Sequence, residues 1–406
     1  MRQRIRTALD LYAHAQDERR EAQRRWNDAF WREGEAAPPP RADLVALETE
    51  RRAASERCVK PTAMFGFLAD EEFVPPVKFR LPGPEEVFSR WKDVLADPEA
   101  LYAAPETMPD VEASQRVPGP SGPEYIVRFR SPSRFTGDTA YARIYEPEKA
   151  SGGLPTLIYG GGFGMMYDQL TYWPEEEYMG RYLAARGYRV ILIESPWHGR
   201  RTLPGYYSGE PYLANAPAGL FQLYSAQVQE TAVLIQWARS IGAPVVGVGG
   251  MSLGGTVAQQ VAGRCGSWPD SMKPDMVFLG ASSSHLDQVV LHDELSHALG
   301  LDRAIRAAGW TEENLADLTP VLDPPQRPGI PPEKIFAFLG LQDTYIPYRR
   351  SREMLRDWDV PEENIVSWDT GHFGILVRII RTSEFQERIM QAMRGIERGQ
   401  QEPERR

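Results

Sequence analysis

One serine stands among glycines at a point in the sequence where its hydroxyl could act as a nucleophile. The stretch Val245-Val-Gly-Val-Gly-Gly-Met-Ser-Leu-Gly-Gly-Thr256 holds Ser252 between a short apolar run and a helix-like run. Glycines two positions to either side, Gly250 and Gly254, allow a sharp strand-to-helix turn that presents the hydroxyl clear of a sheet. A tight turn without chemistry is the alternative interpretation. The flanking strand and helix patterns favour a nucleophile.

A serine hydroxyl needs an oriented base before it can attack a substrate. Among the six histidines, His372 follows the last predicted strand and is preceded by glycine. Asp343 follows the penultimate strand, where its carboxylate could fix the imidazole tautomer. Asp369, which could instead cap a turn, and Glu194 are the rival acids. The order Ser252, Asp343, His372 predicts a catalytic triad for acyl transfer chemistry.

A second glycine-rich loop could supply donors for the oxyanion of a tetrahedral intermediate. Tyr159-Gly-Gly-Gly-Phe163 follows an earlier apolar strand, so Gly161, Gly162 and Phe163 are candidate members of an oxyanion hole. The amide of Leu253, directly after the serine, is the other predicted donor. A merely flexible loop is the alternative for the triple glycine. No metal ligand is predicted in this site.

The elements that must position these residues alternate between strands and helices. Two alternating runs resemble an antiparallel hairpin at a sheet edge, and later apolar runs are separated by helical patterns. This order predicts an α/β fold with a mostly parallel central sheet and helices on both faces, whose active residues lie at the carboxyl ends of the strands. The predicted strands cover residues 125–130, 139–145, 154–159, 189–193, 245–248, 276–279, 335–339 and 365–368.

The pattern divides the chain into two parts. Residues 1–115 are predicted to form a helical extension broken by proline-rich loops, and residues 116–400 a catalytic domain. The extension could cover the core, form one wall of a cleft or mediate formation of a homodimer. Two excursions, near 202–219 and 285–332, are predicted to cap the active site, with surface elaboration as the alternative.

Composition excludes several classes of partner and site. The formal net charge of -10 opposes nucleic acid as the main partner, because such binding depends on basic surfaces. Cys58 and Cys265 are too few and too far apart for a disulfide framework or a cysteine-based metal site. No secretion signal is apparent, and no run approaches the roughly 18 apolar residues of a membrane helix. We therefore expect a cytoplasmic protein without stable membrane insertion.

The quoted motifs, in this order, resemble those of the α/β-hydrolase superfamily over residues 120–400. The segment Glu194-Ser-Pro-Trp-His-Gly-Arg-Arg201 more narrowly resembles the branch typified by α/β-hydrolase domain-containing protein eighteen. The resemblance implies an α/β-hydrolase fold and hydrolysis of an ester, thioester or amide without a metal or organic cofactor. One departure is Tyr159, which stands where many esterases with a His-Gly-Gly-Gly segment carry histidine.

Several residues are predicted to contact a small-molecule acyl substrate. Met165, Tyr167 and Tyr206 would form an adaptable apolar wall. His198 and Arg200 could receive a carboxylate or phosphate, or instead order their loop through buried ion pairs. The leading hypothesis is a serine esterase. An acyltransferase that uses the same triad and a non-catalytic ligand-binding scaffold are the alternatives.

Overall fold

The computed structural model describes residues 2–31, 40–63, 77–149, 152–163, 176–206 and 208–401. Within these residues, ten strands form a single sheet. Their bounds are β1 Glu112–Ala113, β2 Val117–Pro118, β3 Pro123–Arg130, β4 Thr139–Tyr145, β5 Thr156–Gly160, β6 Arg189–Ile193, β7 Val246–Met251, β8 Met276–Gly280, β9 Ile335–Gly340 and β10 Ile365–Trp368.

Helices precede, separate and follow these strands. The α-helices are α1 Arg2–Trp31, α2 Arg41–Ala63, α3 Pro84–Arg90, α4 Lys92–Ala96, α5 Pro98–Leu101, α6 Tyr182–Ala184, α7 Glu210–Ala214, α8 Ala218–Ser240, α9 Leu253–Arg264, α10 Leu286–His292, α11 Glu294–Leu299, α12 Leu301–Ala307, α13 Glu312–Ala316, α14 Thr319–Leu322, α15 Tyr348–Asp357, α16 His372–Arg381 and α17 Glu384–Gln401. A π-turn covers Glu176–Arg181, and short 3₁₀ turns cover Gly199–Arg201, Cys265–Ser267, Asp270–Met272, Pro332–Lys334 and Glu362–Asn364.

The strand order confirms the predicted fold class. The sheet runs β1-β3-β4-β6-β5-β7-β8-β9-β10, with β2 paired to β3. All neighbours from β6 to β10 are parallel, whereas β3 and β4 form an antiparallel hairpin from Glu124 opposite Tyr145 to Arg130 opposite Thr139. The carboxyl ends of the parallel strands therefore meet at one edge, which is where ligands bind in sheets of this kind.

Both faces of the sheet are buried, which explains why its strands are continuously apolar rather than alternating. On β5, Ile158 packs into the core beneath α8 and α9, while Leu157 and Tyr159 pack into the core beneath α16 and α17. The same alternation holds on β6, where Ile191 and Leu192 belong to opposite cores. Helices on each face thus fix the sheet from both sides.

Several strand boundaries differ from the sequence-based prediction by one to three residues, at β3, β5, β7, β8 and β9. Strand β5 begins at Thr156 rather than Leu154, because Pro155 has no N–H to donate to the neighbouring strand. The residues from Tyr178 to Arg186 have a helical sequence pattern, but they form a π-turn followed by the short α6. Its side chains are held by ion pairs across the sheet edge, so tertiary contacts override the helical pattern at this position.

The helical extension packs on the outer hairpin of the sheet. Trp26 and Phe30 of α1 and Leu44 of α2 form a small core with Val117 and Ile126 of β2 and β3. This contact places α1 and α2 against the sheet edge that lies farthest from β10.

A buried set of ion pairs lies beside this small core, and we call it the hairpin network. It consists of Glu48, Arg51, Arg52, Glu124, Arg143, Glu176 and Arg181. Arg143 Nη2 lies 2.6 Å from Glu48 Oε1 and 2.9 Å from Glu124 Oε2. Arg181 Nε lies 2.8 Å from Glu124 Oε1. Burial opposes ionisation of Glu48, but Arg143, Arg51 and Arg52 outweigh it and lower the pKa of Glu48.

The two segments predicted as caps contain helices. The segment 202–219 holds α7 and the start of α8, and the segment 285–332 holds α10 to α14. Leu286, Ile305 and Leu315 of the latter are buried in the same core as α8 and α9. In the part of the chain covered by the structure, none of the helices combines the length and hydropathy needed to cross a bilayer.

Candidate active site

Ser252 occupies the sharp turn between β7 and α9. Its φ of 55° and ψ of -114° lie in a region that costs a residue with a side chain about 1–3 kcal/mol. Close backbone approach requires the flanking glycines: a Cβ on Gly250 would lie 2.4 Å from the carbonyl carbon of Gly254, and one on Gly254 would lie 2.1 Å from the oxygen of Gly160. The sequence therefore folds into a turn that projects the Ser252 side chain away from the sheet.

A continuous hydrogen-bond chain joins the three residues predicted to form a triad. His372 Nε2 lies 3.0 Å from Ser252 Oγ, and His372 Nδ1 lies 2.8 Å from Asp343 Oδ2. These residues follow β7, β9 and β10, so the shared sheet edge brings them together across 120 positions of sequence. The Nδ1–H donates to the carboxylate, which leaves Nε2 free to accept the hydroxyl proton.

Asp343 is held by its own loop, whereas the rival acids have other partners. Its Oδ1 accepts hydrogen bonds from the amides of Tyr345 at 3.0 Å and Ile346 at 2.9 Å. Asp369 is exposed, and its Oδ1 accepts from Gln342 Nε2 at 2.8 Å. Glu194 is buried and pairs with Arg200, whose Nε lies 3.3 Å from Glu194 Oε2. Only Asp343, of the three candidate acids, hydrogen-bonds to His372 in the described part of the chain.

The glycine loop after β5 lies directly beside the serine turn. Gly161 accepts a hydrogen bond from the amide of Gly254 at 2.9 Å, which ties the loop to the first turn of α9. A Cβ on Gly162 would lie 3.7 Å from the Cβ of Ser252. Phe163 follows at the end of this loop, and Leu253 is the first residue of α9. The structure thus brings all four predicted oxyanion-hole residues to the edge that carries Ser252.

Tyr159 points away from this edge into the core on the other face of the sheet. Its hydroxyl lies 3.3 Å from that of Tyr178, and its ring stacks on Phe278 at a centroid distance of 6.0 Å. The side chain at this position therefore packs in the core rather than beside Ser252.

The predicted substrate contacts fall into different environments. Met165 and Tyr167 lie outside the described residues. Tyr206 is partly exposed, and the guanidinium carbon of Arg80 lies 5.7 Å from the centroid of the Tyr206 ring. Arg200 pairs with Glu194 and lies over the ring of Tyr141 at 4.9 Å. Arg200 thus orders its own loop, which is the alternative role that its position suggested.

His198 is fully buried beside the glycine loop. Its Nδ1 donates to the carbonyl of Pro196 at 2.8 Å, and its ring meets the edge of Phe163 at 5.8 Å. Burial lowers the pKa of His198 to about 4, so the imidazole is neutral near pH 7. A neutral ring cannot supply the positive charge expected of an anion-binding residue, and His198 instead packs against the loop that carries Gly162.

Two aromatic residues at the site were not predicted from the sequence. Tyr345 and Phe373 approach the His372 ring at centroid distances of 5.6 Å and 5.7 Å. Phe373 is 61% exposed, so it forms an open apolar border next to the histidine. Their positions, two residues after Asp343 and one after His372, are the signal that could have identified them.

Comparison with known proteins agrees with this architecture. A family model described as Alpha/beta hydrolase domain containing 18 matches residues 158–286, which include the glycine loop and the serine turn. Over these residues, about a third of the chain, the sequence is similar to that family, and the sheet has the α/β-hydrolase fold. Comparison with curated proteins gives no match.

Among solved structures, the chain is similar to two esterases. One is Acetyl Xylan Esterase 1 from Thermoanaerobacterium sp. JW/SL YS485, with a TM-score of 0.53 and 16% identity over 80% of this chain and 97% of that one. The other is the acetyl xylan esterase from Paenibacillus sp. R4, with a TM-score of 0.50 and 19% identity over the same shares of the two chains. At these identities the likeness concerns the fold.

Proposed function

We propose that the chain is a serine hydrolase that cleaves a carboxylic ester or a related acyl bond. The observation that carries this proposal is the unbroken chain from Asp343 through His372 to Ser252, with hydrogen bonds of 2.8 Å and 3.0 Å. The distances place the base within reach of the proton that it must remove. The similarity of residues 158–286 to an α/β-hydrolase family supports the same reaction class.

The reaction begins when His372 Nε2 takes the proton of Ser252 Oγ as that oxygen attacks the acyl carbonyl. Asp343 orients the ring and stabilises the imidazolium that forms. Negative charge then develops on the carbonyl oxygen, close to the loop formed by Gly161, Gly162 and Phe163 and to the amide of Leu253. Amides held in this way stabilise the charge without reorganising. His372 next protonates the leaving group, and water cleaves the acyl-enzyme by the reverse sequence of proton transfers.

A panel of nitrophenyl esters with graded acyl lengths, beginning with acetyl, tests this proposal. The similar esterases are described as acting on acetyl groups, so the shortest ester is the first substrate to try. Ser252→Ala is expected to lower kcat/KM by about 10⁴- to 10⁶-fold, because the nucleophile and its base act as a unit. Ser284→Ala, a partly exposed serine after the next strand, β8, is the matched control and should retain activity.

Two outcomes would oppose the proposal. Wild-type protein that turns over none of the esters, while remaining folded by circular dichroism, would favour a ligand-binding scaffold. Turnover that survives Ser252→Ala would move the chemistry to other residues.

A further inference from the structure

A group of metal-ligating side chains lies outside the candidate active site, at the base of the helices α10 to α14. A ring nitrogen of His285 and one carboxylate oxygen each from Asp287 and Asp323 lie within 4.8 Å of one another. His285 and Asp287 lie at the start of α10, and Asp323 directly follows α14. The three side chains therefore join the two ends of this helical segment.

Asp287 has a buried carboxylate oxygen that lacks a partner. The residue is only 6% exposed, and its Oδ2 accepts a hydrogen bond from Gln288 Nε2 at 3.0 Å. Its Oδ1 is buried and has no hydrogen-bond partner in the described part of the protein. A buried acceptor in this state is destabilising unless a donor or a cation satisfies it. This atom is an observation, separate from the clustering itself, that points to a positively charged ligand.

Asp323 is fixed in place by backbone amides. Its Oδ2 accepts from the amide of His285 at 2.8 Å, and its Oδ1 accepts from that of Leu286 at 3.0 Å. Arg264 bonds to the backbone carbonyl of Asp323 at 3.0 Å. Burial, together with the nearby charge of Asp287, raises the pKa of Asp323 to about 6 against the opposing effect of the two amide hydrogen bonds. Two carboxyl groups thus lie close together, and among the described residues no lysine or arginine forms an ion pair with either.

We propose that His285, Asp287 and Asp323 bind one divalent transition-metal ion of the Zn²⁺ type. An imidazole nitrogen with two carboxylate oxygens is a donor set that such ions accept, and water can complete the coordination because His285 is exposed. The ion neutralises the two carboxylates and clamps the beginning of α10 to the end of α14. The proposed role of the ion is structural, because none of its three ligands belongs to the candidate active site.

Metal titration of the full-length protein without an affinity tag tests this site. After chelator treatment and dialysis, ZnCl₂ is added in a calorimeter at pH 7, and thermal unfolding is followed with and without the metal. We expect one ion bound per chain and a rise in Tm of about 5 °C at saturating metal, because the ion binds the folded state selectively.

Two variants assign the binding to this cluster. Asp287→Asn keeps the side-chain shape, and His285→Gln changes an exposed residue. Each should weaken Zn²⁺ binding by more than about tenfold and remove the Tm response. Metal-free Asp287→Asn should be at least as stable as the metal-free wild type, because it removes one of two neighbouring buried charges. This comparison separates lost binding from lost folding.

His14→Gln is the matched control, since His14 is an exposed histidine on α1 whose side chain is 78% accessible. It should bind Zn²⁺ as the wild type does. Wild-type protein that binds no divalent ion would overturn the proposal, as would unchanged binding by Asp287→Asn and His285→Gln. Ester hydrolysis does not enter this test, so its failure would leave the proposed catalytic function untouched.

Discussion

The candidate active site and the hairpin network use the same kinds of groups in opposite ways. In the network, each carboxylate meets at least one arginine, and Arg143 and Arg52 each contact both Glu48 and Glu124. In the candidate active site, Asp343 meets an imidazole and two backbone amides, and the chain of hydrogen bonds ends at the hydroxyl of Ser252. The carboxylates of the hairpin network thus pair with arginines of the same network, whereas the hydrogen-bond chain of the candidate active site ends at a hydroxyl group.

This difference shows what a cluster of charges needs in order to serve chemistry. Mutual pairing in the network neutralises the buried charges and holds α2 to the sheet, but it leaves no proton to move. In the candidate active site, the hydrogen-bond chain ends at the Ser252 hydroxyl oxygen, the proposed nucleophile. The proposed base, His372, gains a positive charge only when it takes the proton of that hydroxyl. We therefore expect substitutions in the first cluster to change stability, and substitutions in the second to change rate.

The largest expected effect is on catalysis. Asp343→Asn should lower kcat by about 10⁴-fold with little change in folding, because the amide no longer orients and stabilises the imidazolium. Asp369→Asn is the matched control and should change kcat less than about tenfold, since Asp369 bonds to Gln342 rather than to His372. Steady-state kinetics on the best ester measure both. Equal losses in the two variants would mean that the carboxylates share one role.

A smaller effect, on stability, is expected in the hairpin network. Arg143→Met should lower the free energy of unfolding by about 4 kcal/mol, because it leaves Glu48 and Glu124 buried with fewer cationic partners. Urea denaturation measures this change, and kcat of the folded variant should stay near that of the wild type. Arg24→Met removes an exposed pair with Glu21 and should leave the urea midpoint unchanged. A stable Arg143→Met with a greatly reduced kcat would erase the distinction between the two clusters.

His198 packs against Phe163 of the glycine loop, and its contribution to the free energy of unfolding depends on pH. Its folded pKa of about 4 lies below the ordinary value of 6.5, so the unfolded state binds the extra proton as pH falls through this interval. Above pH 6.5 the imidazole is neutral in both the folded and the unfolded state, so its burial does not make the free energy of unfolding depend on pH. As the pH falls from 6.5 towards 4, only the unfolded state takes up the proton, and the free energy of unfolding decreases.

His198→Gln removes this titration. The stability of the wild type relative to the variant should fall by about 3 kcal/mol between pH 7 and pH 4. Urea denaturation at several pH values measures it. Parallel profiles for the two proteins would show that the buried imidazole takes up a proton in the folded state as readily as in the unfolded one.

The candidate active site was largely predictable, because its parts are local motifs at strand ends. The glycine spacing around Ser252 and the positions of Asp343 and His372 after successive strands require only strand order to bring them together. The parallel sheet follows from the apolar runs for the same reason. These patterns can be recognised from residues that are close in sequence, and the parallel sheet then brings the strand ends together at one edge.

The hairpin network could not be predicted in this way, and for Arg200 the sequence suggested buried ion pairs within its loop but not its aromatic partners. Arg143 and Glu48 are 95 positions apart and share no spacing rule, so their pairing depends on how α2 docks on the hairpin. Arg200 follows a strand, as a substrate-binding residue would, but Trp26 of α1 and Tyr141 of β4 pack against its guanidinium. A charged residue at a sheet edge can thus pack against side chains from a distant part of the sequence, and the local sequence pattern does not indicate this contact.

The most direct test of the central claim is covalent labelling with a fluorophosphonate, followed by intact-mass analysis and peptide mapping. We expect a single adduct on Ser252, whose formation is lost in Ser252→Ala and strongly slowed in His372→Ala, because the label requires an activated serine. An adduct on a different serine, or a wild type that hydrolyses esters without ever being labelled, would contradict it.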